Sequence, residues 1–429
     1  MTPTHGLVDH LFRERAGQMV AWLTRAFGPS HLDLAEEVVQ DALVKALQQW
    51  PYTGVPANPG GWLFTVARNG ALDALRRDTS LRERSAEISA ELTRGADALS
   101  RPFPSDDPGL QDDELRMILL CCRPELTRDA RVALSLKTVA GFSVQEIARA
   151  FLTSDATIAQ RVVRAKRRLR ELDLPLDLPA RAELQARLDS VLEVIYLLFN
   201  EGYTAAGGGD LVRVDLCAEA LRLARLVATN PTTASPPAHA LLALIAFQAA
   251  RLPARVDDSG ELVVLEEQDR TRWDPRLIAL GFRHLEHSAQ GPRMTPYHAQ
   301  AAIAAAHSGA ACASDTRWDV ILRLYDDLSA LDPSPLVLLN RVVAVWKVNG
   351  LDEARRELAA LEQEPALAGY YLLPAVKGRL LAASGDLEAA GRAFEVASAL
   401  PCSEPERRLL QRQMAALRSG GGAFIRRQP

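Results

Sequence analysis

Apolar residues recur along this chain at helical spacing. Leu7, Leu11, Met19, Leu23 and Phe27 mark an amphipathic helix over residues 7–29, ended by Gly28-Pro29. The same spacing predicts a helix over Leu32–Trp50, with Ala35, Val38, Val39, Ala42, Ala46 and Trp50 inside and Glu36, Glu37, Gln40 and Asp41 outside. Three prolines and three glycines between Pro51 and Gly61 predict a loop. A third helix follows over Trp62–Arg77, with Leu63, Val66, Ala67 and Ala74 inside and Asn69, Asp73, Arg76 and Arg77 outside. Pro102, Pro104 and Pro108 interrupt a linker over residues 81–113. From Asp113 to Val139, the apolar seam Leu115, Ile118, Leu119, Cys122 and Leu126 predicts helices again.

The stretch Gly141–Glu171 has the pattern of a helix-turn-helix. Ser143 followed by Glu146 is a capping box that starts one helix, on which Ile147, Ala148 and Phe151 share a face. Leu152–Asp155 has turn chemistry, and either Ser154 or Asp155 can cap the next helix, Ala156–Glu171. That helix has an apolar face of Ile158, Val162, Ala165 and Leu169, and an opposite face of Thr157, Gln160, Arg161, Arg164 and Arg168. Residues 161–170 hold six bases (Arg161, Arg164, Lys166, Arg167, Arg168, Arg170) and no acid. Its N-terminal end suits a major groove and its basic end suits phosphates.

Composition narrows the class. The chain has 429 residues, enough for several domains, and a net charge of −4, so any nucleic-acid contact is local. Residues 87–114 hold eight acids against two bases. Five scattered cysteines, Cys121, Cys122, Cys217, Cys312 and Cys402, point to buried thiols in a reducing cytosol. No signal peptide and no run of roughly 20 apolar residues is present, so a soluble cytoplasmic protein is expected, with no membrane contact. His284 and His287 lack a supporting ligand cluster, and Gly207-Gly208-Gly209 lacks the lysine and context of a phosphate loop. No nucleophile–base pairing is legible. No cofactor, metal or catalytic residue is expected, and the chain does not read as an enzyme.

Two further stretches, LAEEVVQDALVKALQQW (Leu34–Trp50) and GWLFTVARNGALDALRR (Gly61–Arg77), resemble sigma-70-family factors of the extracytoplasmic-function type. With the helix-turn-helix they follow that family's order and spacing. The resemblance implies sigma region 2 over 7–80, the linker over 81–113 and sigma region 4 over 114–174. It implies that Glu36, Glu37, Gln40 and Asp41 bind the core RNA polymerase. It places Tyr52, Asn58, Asn69, Asp73, Arg76 and Arg77 at the melted −10 element of promoter DNA. Thr157, Gln160, Arg161, Arg164, Lys166, Arg167 and Arg168 fall at the double-stranded −35 element, with Arg161 and Arg164 nearest the bases. Asp73 can instead pair with Arg76 or Arg77, and Trp62 reads as core sooner than as a stacking platform. The linker is either a charge mimic or a plain tether.

Beyond Leu174–Pro179 the chain continues in paired Ala- and Leu-rich helices. Asn349–Ala354 recurs as Ser384–Ala389, with Gly350 and Gly385, Glu353 and Glu388, and Ala354 and Ala389 each 35 residues apart. That period is close to the roughly 34 residues of tetratricopeptide repeats. Residues 182–419 resemble the C-terminal extension of a subgroup of these sigma factors, which implies cis regulation and a protein or peptide ligand. Tyr196–Tyr203 and Leu265–Trp273 carry that likeness, as either a domain–domain surface or internal capping and turn bonds. The whole reads as all-α: two small helical sigma domains, then a tetratricopeptide-like superhelical domain. The alternatives are an adaptor, which would not need the Leu34–Asp41 helix, and a promoter-binding repressor, which would bind duplex DNA without polymerase.

Overall fold

The computed structural model describes residues 16–77, 88–89, 108–151, 153–172, 176, 178, 181–203 and 213–418. The expected helix start before residue 16, most of the linker with its acids up to Asp107, the Gly207–Gly209 turn and the tail from residue 419 lie outside these. Apart from a single bridge between Val256 and Leu262, the regular structure among the described residues is helical. The chain divides into two compact units, residues 1–197 and 198–429.

In the first unit, α1 (residues 16–27), α2 (Leu32–Thr53) and α3 (Pro59–Arg77) form one group. Trp22, Leu23 and Phe27 of α1 are buried with Leu63 and Phe64 of α3, and Trp22 meets Phe64 with ring centroids 5.4 Å apart. Each such buried side chain contributes about 1.5–3 kcal/mol. Trp62 packs edge-on against buried Trp50, centroids 5.4 Å apart, so it serves the core. The loop is shorter than the proline count predicts. Helix α2 runs through Pro51 in its last turn and stops at Gly54, whose φ of 79° breaks the helix. Helix α3 starts at Pro59, where a first-turn proline loses no hydrogen bond. Asn58 accepts a hydrogen bond from the Gly61 N–H at 2.9 Å and so caps that start.

The second group is α4 (Pro108–Cys121), α5 (Arg128–Thr138), α6 (Val144–Ala150) and α7 (Asp155–Leu172). Helix α4 begins at Pro108, within the expected linker, because proline suits the first helical position. Cys121 and Cys122 are buried; burial pushes the Cys122 thiol up to about 12 and Cys121 well above the ordinary thiol range, so both stay protonated. Cys312, expected to be buried, is exposed on a turn beside Ser314. Helix α8 (Arg181–Tyr203) starts in this unit, where Ser190 and Glu193 pair with Arg131 and Arg128 of α5.

The second unit is built from helix pairs. Pro236–Ala250 is buried almost all round, packed by Val214–Thr229, Pro275–Ser288 and Pro296–Ser308. A Cβ on Gly281 would lie 2.6 Å from the Phe247 ring, and one on Gly378 would lie 2.7 Å from Phe394, so glycine at both positions lets a helix close on an aromatic ring. The repeat is real but slips by one residue. Gly350 and Gly385 turn the chain at φ 90° and 88°. The small residue buried in the second repeat is Ala390 rather than Ala389, because Asp386 adds an N-cap that accepts from the Ala389 N–H. Leu265–Trp273 turns inward. Glu266 pairs with Lys347 at 3.3 Å and Arg379 at 2.7 Å, Arg270 donates to the carbonyls of His307 and Ala310, and Trp273 is buried. These are internal bonds, the second of the two readings of that segment.

Burial, with His239 and His287 alongside, lowers the His284 imidazole to about 4; burial, with Arg251 and Arg270 nearby, lowers His307 to about 3. Both are neutral when folded. Their contribution to stability is present above the ordinary 6.5 and is lost as pH falls toward those values. The full chain should therefore melt at lower temperature at pH 5 than at pH 7.5. The His284→Gln, His307→Gln double variant should show a smaller drop in a thermal melt.

Candidate nucleic-acid and polymerase interface

The helix-turn-helix is capped at both helix starts. The Ser143 N–H donates to Glu146 at 2.8 Å and the Glu146 N–H donates to Ser143 Oγ at 3.1 Å, the reciprocal pair of a capping box. Of the two candidates for the next cap, Ser154 takes it, accepting from the Thr157 N–H at 3.2 Å. Ile158, Val162, Ala165 and Leu169 of α7 are buried, as the periodicity requires. Gln160, Arg164, Arg167 and Arg168 are exposed. Thr157 is half-buried and bonded to Ser154 Oγ, while Arg161 reaches Asp129 at the start of α5, 2.8 Å away. Arg167 and Arg168 both lie near Glu171.

On α2, Glu37, Gln40 and Asp41 are exposed, and Tyr52 is 90% exposed at the helix end. Asn69 and Asp73 are exposed on α3. The side chains of Arg76 and Arg77 lie outside the described residues. Asn58 spends its side-chain oxygen on the α3 cap.

Glu36 and Lys166, read as serving polymerase and DNA respectively, meet each other. Lys166 Nζ lies 2.7 Å from Asp33 Oδ1 and 2.8 Å from Glu36 Oε2. Arg170 Nη1 is 2.7 Å from Asp33 Oδ2, and Thr138 Oγ1 donates to Glu36 Oε1 at 2.9 Å. Lys166 is only 9% exposed. Burial opposes charge here, yet Lys166 and Arg170 hold the Asp33 carboxyl below its ordinary 3.8, and Glu36 and Asp33 hold the Lys166 ammonium above 10.5. The Asp33 contribution is complete above 3.8 and lost as pH falls through its lowered value. The Lys166 contribution is complete below 10.5 and lost as pH rises through its raised value. The pairing therefore persists across neutral pH.

The surrounding contacts were not read from the sequence. A Cβ on Gly17 of α1 would lie 1.9 Å from the Val139 carbonyl oxygen. Arg25 of α1 donates to Asp113 of α4 at 2.8 Å. Two signals were available: a glycine inside an amphipathic helix, and Asp33 on the same helix face as Glu36 and Glu37.

Residues 11–80 match sigma-70 region 2, residues 116–169 match sigma-70 region 4, and residues 187–289 match a family of unknown function. The ECF RNA polymerase sigma factor SigL of Mycobacterium tuberculosis is 30% identical over 165 residues, 38% of this chain and 87% of its own. EcfG of Rhodopseudomonas palustris, also an ECF RNA polymerase sigma factor, is 32% identical over 34% of this chain and 77% of its own. The chain belongs to the extracytoplasmic-function sigma factors. An uncharacterized protein of Rhizobium meliloti is 38% identical over 96% of both chains, so its likeness to this sigma factor runs through the extension. No solved structure matches. As a sigma factor the protein directs RNA polymerase to promoters, and its contact between α2 and α7 joins region 2 to region 4. Among the described residues no helix is long and apolar enough to cross a membrane.

Loss of the capping box should loosen the helix-turn-helix. Ser143→Ala should cost about 1 kcal/mol of stability, read in urea melts of the full chain.

Proposed function

We propose that this sigma factor grips the core enzyme through the α2 face of Glu36, Glu37, Gln40 and Asp41. It holds the −10 element with Tyr52, Asn58, Asn69, Asp73, Arg76 and Arg77. It reads the −35 element from the start of α7: Thr157, Gln160, Arg161 and Arg164 face the bases, and Lys166, Arg167, Arg168 and Arg170 face phosphates. It works in the cytoplasm. The extension regulates initiation in cis, through a protein or peptide ligand on its paired helices.

One observation carries this reading. A doubly capped helix-turn-helix exposes Gln160 and Arg164, and a separate helix exposes Glu37, Gln40 and Asp41. An acidic, hydrogen-bonding face suits a basic partner, and an arginine near the start of a groove-entering helix suits base edges.

Reconstitution with bacterial core polymerase tests it. The full chain should co-elute with core and initiate from a subset of genomic promoters. Glu37→Lys with Asp41→Lys should weaken co-elution at least tenfold. Arg164→Ala should relax promoter choice by roughly 1–3 kcal/mol, whereas Arg167→Ala should weaken all sequences alike and lower the salt slope by about one. A chain ending at Pro179 that initiates like the full chain contradicts cis regulation.

A further inference from the structure

We propose that the extension binds a small organic acid, a hydroxy- or oxo-carboxylate of roughly two to four carbons, in a cavity where the Leu265–Trp273 segment meets three helices. The site lies wholly within the second unit and is independent of the promoter roles proposed above.

The cavity has a volume of about 100 Å³ and opens to solvent. Leu265 and Arg270 line it from the segment. His307 of Pro296–Ser308, Trp318 of Trp318–Leu331 and Lys347 of Pro335–Asn349 line it from the helices, with Thr316 between them. An apolar cavity of about 150 Å³ takes up benzene, so this one suits a smaller guest.

The charges around it are unbalanced. Arg270, Lys347 and Arg379 are cationic, and Glu266 is the one carboxylate that pairs among them. Glu266 lies 3.3 Å from Lys347 and 2.7 Å from Arg379, so a single acid is shared by two bases. An ammonium has three N–H donors, and Glu266 occupies one of those of Lys347. The Lys347 side chain is nevertheless only 9% exposed, with the Trp346 and Trp318 rings 4.8 and 5.8 Å from its nitrogen. Arg270 donates to the His307 and Ala310 carbonyls and to the Thr316 hydroxyl, all of them neutral. A carboxylate in the cavity supplies the missing negative charge, and its bonds to these donors are charge-assisted.

His307 supplies a second recognition point. It is only 8% exposed, yet among the described residues no hydrogen bond engages its ring nitrogens. Buried polar groups are seldom left without a partner. Burial keeps the imidazole neutral, so it offers one donor and one acceptor. That suits a hydroxyl or keto oxygen next to the carboxylate. Trp318 stands edge-on to His307, ring centroids 5.3 Å apart, and with Leu265 and Ala313 it gives a short carbon chain an apolar wall. Inorganic phosphate leaves that wall unused.

Calorimetric titration of the full chain with sodium lactate and with sodium pyruvate, at fixed ionic strength, tests the site. One acid or both should bind one-to-one with a Kd below about 1 mM. Propane-1,2-diol, which lacks the carboxylate of lactate, should bind roughly tenfold more weakly or not at all. Lys347→Met removes a cation, and Ala313→Leu fills the cavity while leaving each polar group in place; each should weaken the acid roughly tenfold. Ala313 lies in a turn, so its variant decides the matter even if Lys347→Met fails to melt cooperatively. A parent chain that binds neither acid has a cavity for water alone, and the proposal fails. Undiminished binding by a folded Ala313→Leu chain places the acid elsewhere and also overturns it. Phosphate that binds as tightly as the acids overturns the carboxylate assignment.

Discussion

An ammonium group taken out of water needs carboxylates around it, and those carboxylates are then unavailable elsewhere. Lys166 imposes that constraint here. It sits almost wholly buried between Asp33 and Glu36. Removing one partner of a desolvated pair leaves an uncompensated charge, which typically costs about 3–5 kcal/mol. The position of α7 against α2 therefore follows from charge as much as from apolar packing. Around the pair, Gly17 sets how closely α1 approaches Val139, and Arg25 meets the buried Asp113. Burial raises the Asp113 carboxyl despite Arg25 and Arg116.

The same logic recurs within the extension in a purely internal form. Glu266 is half-buried, and Arg379 and Lys347 hold its carboxyl below the ordinary range against the pull of burial. Arg270 caps the His307 and Ala310 carbonyls near the end of one helix and lies over Trp273. These bonds join the short Leu265–Trp273 segment to helices far away in sequence. Glu266, Gln268 and Arg270 thereby spend their polarity inside the unit, while Glu267, Asp269, Thr271 and Arg272 stay exposed.

The sequence reveals what is local. Helical spacing placed α2, α3 and α7 and their buried faces, because a buried stripe repeats every three to four residues. The capping box at Ser143 and Glu146 was legible because both partners lie within one turn. The loop after α2 was overestimated because proline at a first or last turn leaves no mark that distinguishes it from proline in a loop. The repeat was read one residue out because Asp386 is both a turn residue and a cap. The candidate surfaces were legible one helix at a time. Their meeting was not, because the pairings of Lys166 with Asp33 and Glu36 span more than a hundred residues and depend on how two helical groups dock.

The docking of α7 against α2 through Lys166 is open to direct measurement. Val44 on α2 and Val163 on α7 are both exposed, 49% and 61%, and suit spin labels on introduced cysteines once Cys312 and Cys402 are replaced by serine. Pulsed electron–electron double resonance then reports the distance between the helices in the full chain, with Lys166 in place and with Lys166→Ala. A single short distance in the parent, broadened or lengthened in the variant, is the predicted result. The same distribution in both chains contradicts the account.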